Sequence, residues 1–196
     1  MFRALPPATR ALIIANIAVY LLQQVAGTAI TANFALWPLA SGWFRPWQPL
    51  TYGFLHGSLM HLFVNMLALF MFGGPLERYW GGRRLLTFYF ICVLAAGLTQ
   101  LAVQVGHQAE PTVGASGGIF GVLLAFAWYF PRQRIMLLFP PIPMPAWLFV
   151  TLYALLELFY GVTGREPGVA HFAHLGGLLG GALCILFWRV RGSFAS

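Results

Sequence analysis

The sequence predicts an all-α, polytopic membrane protein: a bundle of six transmembrane helices. Three observations carry that prediction. Of 196 residues, 60% are hydrophobic and only 8% charged, far outside the composition of soluble domains. Six apolar runs recur along the chain, and a hydrocarbon core of about 30 Å calls for roughly 20 such residues per helix. All eleven basic residues other than His are arginines, set in short clusters between the apolar runs. The length implies a single domain, 1–196.

The spans are expected near Ala11–Val25, Leu59–Gly74, Leu85–Val103, Ser116–Phe130, Ala146–Tyr160 and Ala170–Arg189. Several are short, so tilt or local thinning of the bilayer must make up the length. With six spans, nine of the eleven arginines fall on one side, and only Arg45 and Arg165 lie opposite. The positive-inside bias then puts both termini in the cytoplasm, with an inner-membrane, multi-pass and bacterial location expected. The first run follows Arg3 and Arg10 like a signal peptide, but its Gln23-Gln24 tail offers no small-residue cleavage site, so it reads as an uncleaved span.

Between the first two spans, Ala26 to Leu55 carries Trp37, Trp43, Phe44 and Trp47, rings suited to the headgroup layer, so this loop is expected in the interface. The proline-rich stretch from Phe139 to Pro145 breaks helical periodicity before the fifth span. A net charge of +7 does not argue for nucleic acid, because the arginines form no basic face interleaved with stacking aromatics. Cys92 and Cys184 each sit in an apolar stretch and read as small buried thiols, in neither a disulfide nor a metal site.

Polar groups at membrane depth are costly unless paired, which makes the few present functional candidates. In Gly114-Ala115-Ser116-Gly117-Gly118-Ile119-Phe120-Gly121 a glycine-flanked serine opens the fourth span. Free N–H groups and the positive end of the helix dipole there suit a developing oxyanion, although serine is also an ordinary helix cap. Gly114 and Gly117 would let a substrate backbone approach, and Gly117 with Gly121 would let another helix approach.

In the sixth span Ala173, Gly177 and Gly181 recur every four residues, a smooth ridge for close helix contact. If that ridge meets Gly117 and Gly121, His174 comes within reach of Ser116, and a serine hydrogen-bonded to a histidine is an activated nucleophile. The chain contains no Asp, and its only acids are Glu77, Glu110, Glu157 and Glu166. A Ser-His dyad is therefore the simpler expectation. Phe120, one turn after Ser116, is placed to stack on the imidazole, while Glu157 reads as a structural or water-cavity partner.

The third string runs from His56 to Asn65. His61 and Asn65 are four apart, on one helix face, and both can donate hydrogen bonds to an oxyanion or serve as polar contacts between helices.

Together the three strings resemble the rhomboid family of intramembrane serine proteases over about Trp47 to Gly181. The resemblance implies Ser116 as nucleophile, His174 as base and His61 with Asn65 as oxyanion donors, with Gly114, Gly117, Phe120 and His56 in support. It implies a turn built from Gly73, Glu77 and Gly81, a short central fourth helix, and Ser116 at the bottom of a water-filled cavity. It further implies a movable fifth span with its following loop, Gly161 to Gly168, and single-span membrane proteins as substrates. Where many members carry Trp-Arg in the first loop, this chain reads Trp47-Gln48.

No cofactor is expected. One rival is a catalytically silent rhomboid-like factor that binds membrane segments, whose expected sign is loss of Ser116 or His174. Another is a metal transporter or metalloprotease using His56, His61, His171 and His174, against which stand the missing His-Glu-x-x-His string and the lack of Asp. The oligomeric state has no signal in the sequence.

Overall fold

The computed structural model describes residues 5–104, 110–136, 141–165 and 168–192. Five helices are long and apolar enough to cross a membrane: Pro7–Ala26, Leu59–Trp80, Gly82–Val103, Ala146–Thr163 and His171–Val190. The sixth, Ser116–Tyr129, has 14 residues. In chain order these are the first to sixth spans, with Ser116–Tyr129 the fourth. The protein is the polytopic helical bundle its composition predicts.

The second span runs past its expected end at Gly74, through a π-helical turn at Leu69–Gly73, as far as Trp80. Glu77 and Arg78 look like loop residues in the sequence, but Glu77 is buried. The first span begins at Pro7 behind Pro6, which has no capping side chain, so its leading N–H groups need acceptors from elsewhere. The Glu77 carboxylate supplies them, accepting from Ala8 N (2.8 Å), Thr9 N (2.6 Å) and Thr9 Oγ1 (2.7 Å). The chain then turns at Gly81, at φ +81°, into the third span. Of the three residues expected in a turn there, Gly73 and Glu77 are helical and Gly81 makes the turn.

The third, fourth and sixth spans form the packed centre. Helices in lipid associate through close backbone approach more than through apolar burial, and the sixth span presents two small-residue stripes for it. Ala173, Gly177 and Gly181 lie against the fourth span. A Cβ at Gly177 would land on the Gly117 carbonyl oxygen, and one at Gly181 would sit 3.2 Å from Gly121 Cα. Gly176 and Gly180 lie against Ala95 and Thr99 of the third span. The fifth span is peripheral: 17% of its most apolar window is buried, against 50% for the sixth. Its buried positions, Ala146, Val150 and Glu157, fall on one narrow stripe.

Gly117 packs on Ala96 of the third span, seven residues before that helix ends at Val103. At 1.5 Å per residue, the fourth helix therefore starts about 10 Å below the third span's end.

The loop between the first two spans holds a short helix, Thr28–Phe34, and a helical turn, Gln48–Thr51. Gln48 is fully buried. Its amide donates to Trp43 O (3.0 Å) and Asn33 O (3.3 Å) and accepts from Trp37 N (3.3 Å). The glutamine thus ties the loop together at the position after Trp47. A two-stranded antiparallel ribbon, Arg134–Met136 with Pro143–Pro145, precedes the fifth span. Proline has no N–H to give a ladder and is tolerated at such an edge. Phe139 and Pro140 of the proline-rich stretch, and part of the loop from Gly161 to Gly168, lie outside the described residues.

Candidate active site

The loop from Leu36 to Tyr52, the start of the second span and the start of the sixth span meet at the N-terminus of the fourth helix. The segment leading into it is pinned from outside: Leu36 and Thr112 exchange backbone hydrogen bonds of 2.9 Å, and Gly114 N donates to Tyr52 O at 3.0 Å. The Tyr52 hydroxyl in turn donates to Val93 O at 2.9 Å. Tyr52, which drew no attention in the sequence, thereby couples the loop, the third span and the serine turn.

Ser116 is the first residue of its helix, and the cap position is Ala115. The serine side chain is not used as a cap. Its Oγ lies 2.7 Å from His174 Nε2, and Phe120 stacks on the imidazole with ring centres 4.3 Å apart and planes 11° apart. The glycine contacts between the fourth and sixth spans hold the two side chains at that distance.

On the other side of Ser116 is the second span, begun by Ser58, whose hydroxyl accepts from His61 N at 3.1 Å. Gly114 has φ +135°, a conformation that favours glycine. A Cβ there would lie 2.9 Å from His61 Nε2 and 3.5 Å from Ser116 Oγ. The missing side chain keeps open the space between the two. Asn65 uses one amide hydrogen on His61 O (2.8 Å), which leaves the second available. His61, Asn65, Gly114, Ser116, Phe120 and His174 all line one cavity of about 830 Å³.

His56 lies behind this face, its ring meeting the His61 ring edge-on at 5.0 Å. Both of its ring nitrogens are buried without a partner among the described residues, and Gln23 of the first span clamps its backbone (His56 N to Oε1, 2.9 Å; Nε2 to His56 O, 3.3 Å). Burial, with His61 beside it, pushes the His56 pKa down to about 4. His56 is thus neutral in the fold, while the unfolded chain takes up a proton below about pH 6.5. Its contribution to stability is complete above pH 6.5 and is lost as the pH falls towards 4. In detergent, the unfolding midpoint should drop across that window, and His56→Phe should drop less. An unchanged acid slope in His56→Phe would assign the loss to other groups.

Glu157, expected from the sequence to be a structural or water-cavity partner, stands on the far side of His174. Glu157 of the fifth span is buried, and its Oε2 lies 2.9 Å from His174 Nδ1 and 2.7 Å from His171 Nδ1. The imidazole is therefore not positioned by packing alone, as the dyad expectation held. Glu157 is one of four glutamates in the sequence, but no spacing links residue 157 to residue 174 before the helices pack. These three side chains are also of metal-ligand type, with donor atoms within 4.8 Å of one another. The 2.7 and 2.9 Å contacts are direct hydrogen bonds. His61 lines the cavity wall away from this cluster and His56 lies behind it, so the four histidines do not assemble into one site.

A helical membrane bundle with a serine and a histidine in contact inside it defines the class. The match of residues 44–191 to the Rhomboid domain places the chain in the rhomboid family. It is 35% identical over 133 residues to "Rhomboid protein 1, mitochondrial" of Saccharomyces cerevisiae, covering 66% of this chain and 38% of that protein. It is 27% identical over 192 residues to "Rhomboid protease GlpG" of Photorhabdus laumondii, covering 96% of this chain and 63% of the relative. For the protein of that name in Yersinia pestis the identity is 26%, with 95% and 64% covered. The chain thus spans less than two thirds of the length of these relatives.

Proposed function

We propose that the chain is an intramembrane serine endopeptidase that cleaves transmembrane segments of single-span membrane proteins, with Ser116 as nucleophile and His174 as general base. The observation that carries this reading is the 2.7 Å contact between Ser116 Oγ and His174 Nε2 on the wall of a cavity of about 830 Å³. In the acylation step Oγ attacks the scissile carbonyl carbon and its proton passes to Nε2. His61, Asn65 and the Ser116 backbone N–H receive the oxyanion. The imidazolium then gives its proton to the leaving amide nitrogen as the C–N bond breaks. Water, deprotonated by the same nitrogen, releases the acyl group and restores Ser116.

A helical segment hides its carbonyls in intrahelical hydrogen bonds, so substrates with residues that loosen the helix near the site should be cut faster. The arginine bias supports both termini on the cytoplasmic side, and the relatives named rhomboid protease GlpG in Photorhabdus and Yersinia support a bacterial inner membrane. The test is turnover: purified protein in liposomes, given a single-span substrate in molar excess, should convert it to two fragments cut within or beside the segment. A stable stoichiometric complex with no fragments would make the chain a binding factor instead.

A further inference from the structure

We propose that Glu157 is a positioning residue that makes the Ser116–His174 pair a carboxylate-oriented relay, with His171 holding the carboxylate in place; this rests on the catalytic reading above. For Ser116 Oγ–H to donate to Nε2, that nitrogen must be unprotonated, which puts the imidazole proton on Nδ1. Only an acceptor facing Nδ1 selects that tautomer. Glu157 Oε2 stands 2.9 Å from Nδ1 and has no other role in the catalytic scheme. Phe120, stacked on the ring face, limits tilt but cannot choose between the two nitrogens.

Position and burial support the assignment. The fifth span touches the bundle along one stripe, and Glu157 is the last buried residue on it. A carboxylate at membrane depth is costly unless fully engaged, and this one is spent on two histidine ring nitrogens. His171 Nδ1 donates to the same oxygen at 2.7 Å, which fixes the carboxylate while His174 completes its other contact. When Nε2 takes the serine proton, the positive imidazolium lies directly against the Glu157 negative charge. The carboxylate itself gains and loses no proton.

The test compares Glu157→Gln, close in shape, with His171→Gln, which loosens the same contact between the fifth and sixth spans while leaving a carboxylate facing Nδ1. The readouts are the rate at which a fluorophosphonate labels Ser116, and kcat and KM on a helical substrate. Glu157→Gln should slow both labelling and kcat on the order of 10²-fold, the scale of general-base assistance, with KM within about twofold. His171→Gln should cost distinctly less in labelling. Labelling of Glu157→Gln at the parent rate overturns the proposal, as does an equal loss in the two variants, which would mark a contact that merely joins helices.

A second measurement needs no variant. In parent protein carrying ¹⁵N-histidine, neutral His174 should be protonated at Nδ1, and protonation at Nε2 in the resting protein overturns the proposal. Parent protein that is never labelled, or whose label survives Ser116→Ala, removes the Ser-His reading and this one with it. Parent and Glu157→Gln labelled on Ser116 at one rate removes only this one.

Discussion

Ser116→Ala is expected to abolish cleavage of a single-span substrate, a loss of about 10⁴-fold or more, while the fold and substrate binding persist. The alanine removes one oxygen from the wall of a cavity of about 830 Å³, and that oxygen caps no helix, because its hydrogen bond goes to His174. The cost to stability is therefore small. His174→Ala should be nearly as inactive, and the double variant no worse than either single one, because nucleophile and base act as a unit. Gel analysis of the three variants against the parent, with unfolding midpoints measured alongside, checks this. Cleavage by Ser116→Ala at the parent rate would end the assignment.

Gly177→Ala should be the most damaging single methyl in the bundle. Its Cβ would land on the Gly117 carbonyl oxygen, a rigid backbone atom one residue from Ser116. Neither helix can yield locally, so the fourth and sixth spans must part. His174 lies one turn before Gly177, and its 2.7 Å contact with Ser116 opens with them. Overpacking of this kind costs about 1–3 kcal/mol, and a misplacement near 1 Å can cost about 10²-fold in rate. Leu179→Ala, on the exposed face of the same helix, serves as the control and should leave both midpoint and turnover near parent values. Parent-like turnover in Gly177→Ala would mean that the glycine ridge does not set the distance between Ser116 and His174.

What the sequence made legible follows the range of the physics. Spans are local: an apolar run declares itself, and the arginines between runs order them, so five long helices and one short one lie close to their expected places. The ridge of Ala173, Gly177 and Gly181 is also local, as its spacing of four names one helix face. Residues whose meaning depends on a distant partner are not legible in this way. Glu77 looks like a loop acid because its reason for burial is the uncapped start of a helix almost 70 residues away. Gln48 looks like a missing arginine until Trp37, Trp43 and Asn33 fold around it. The two short strands before the fifth span escaped because proline marks a break in a helix without saying what replaces it.

Glu157 is the instructive case. The absence of Asp favours a Ser-His dyad on sequence alone, yet a glutamate can orient a histidine as an aspartate does. A glutamate reaches one methylene further than an aspartate, enough here to span from the peripheral fifth helix to the sixth. Its partner at residue 174 is fixed only once the sixth span has packed its glycines against the third and fourth.

The most direct measurement is mass spectrometric mapping of the purified protein after reaction with a fluorophosphonate in detergent. A single adduct on Ser116, lost when the protein is unfolded beforehand and lost in His174→Ala, is the predicted result. An adduct on another residue, or none on folded protein that cleaves its substrate, would contradict the account.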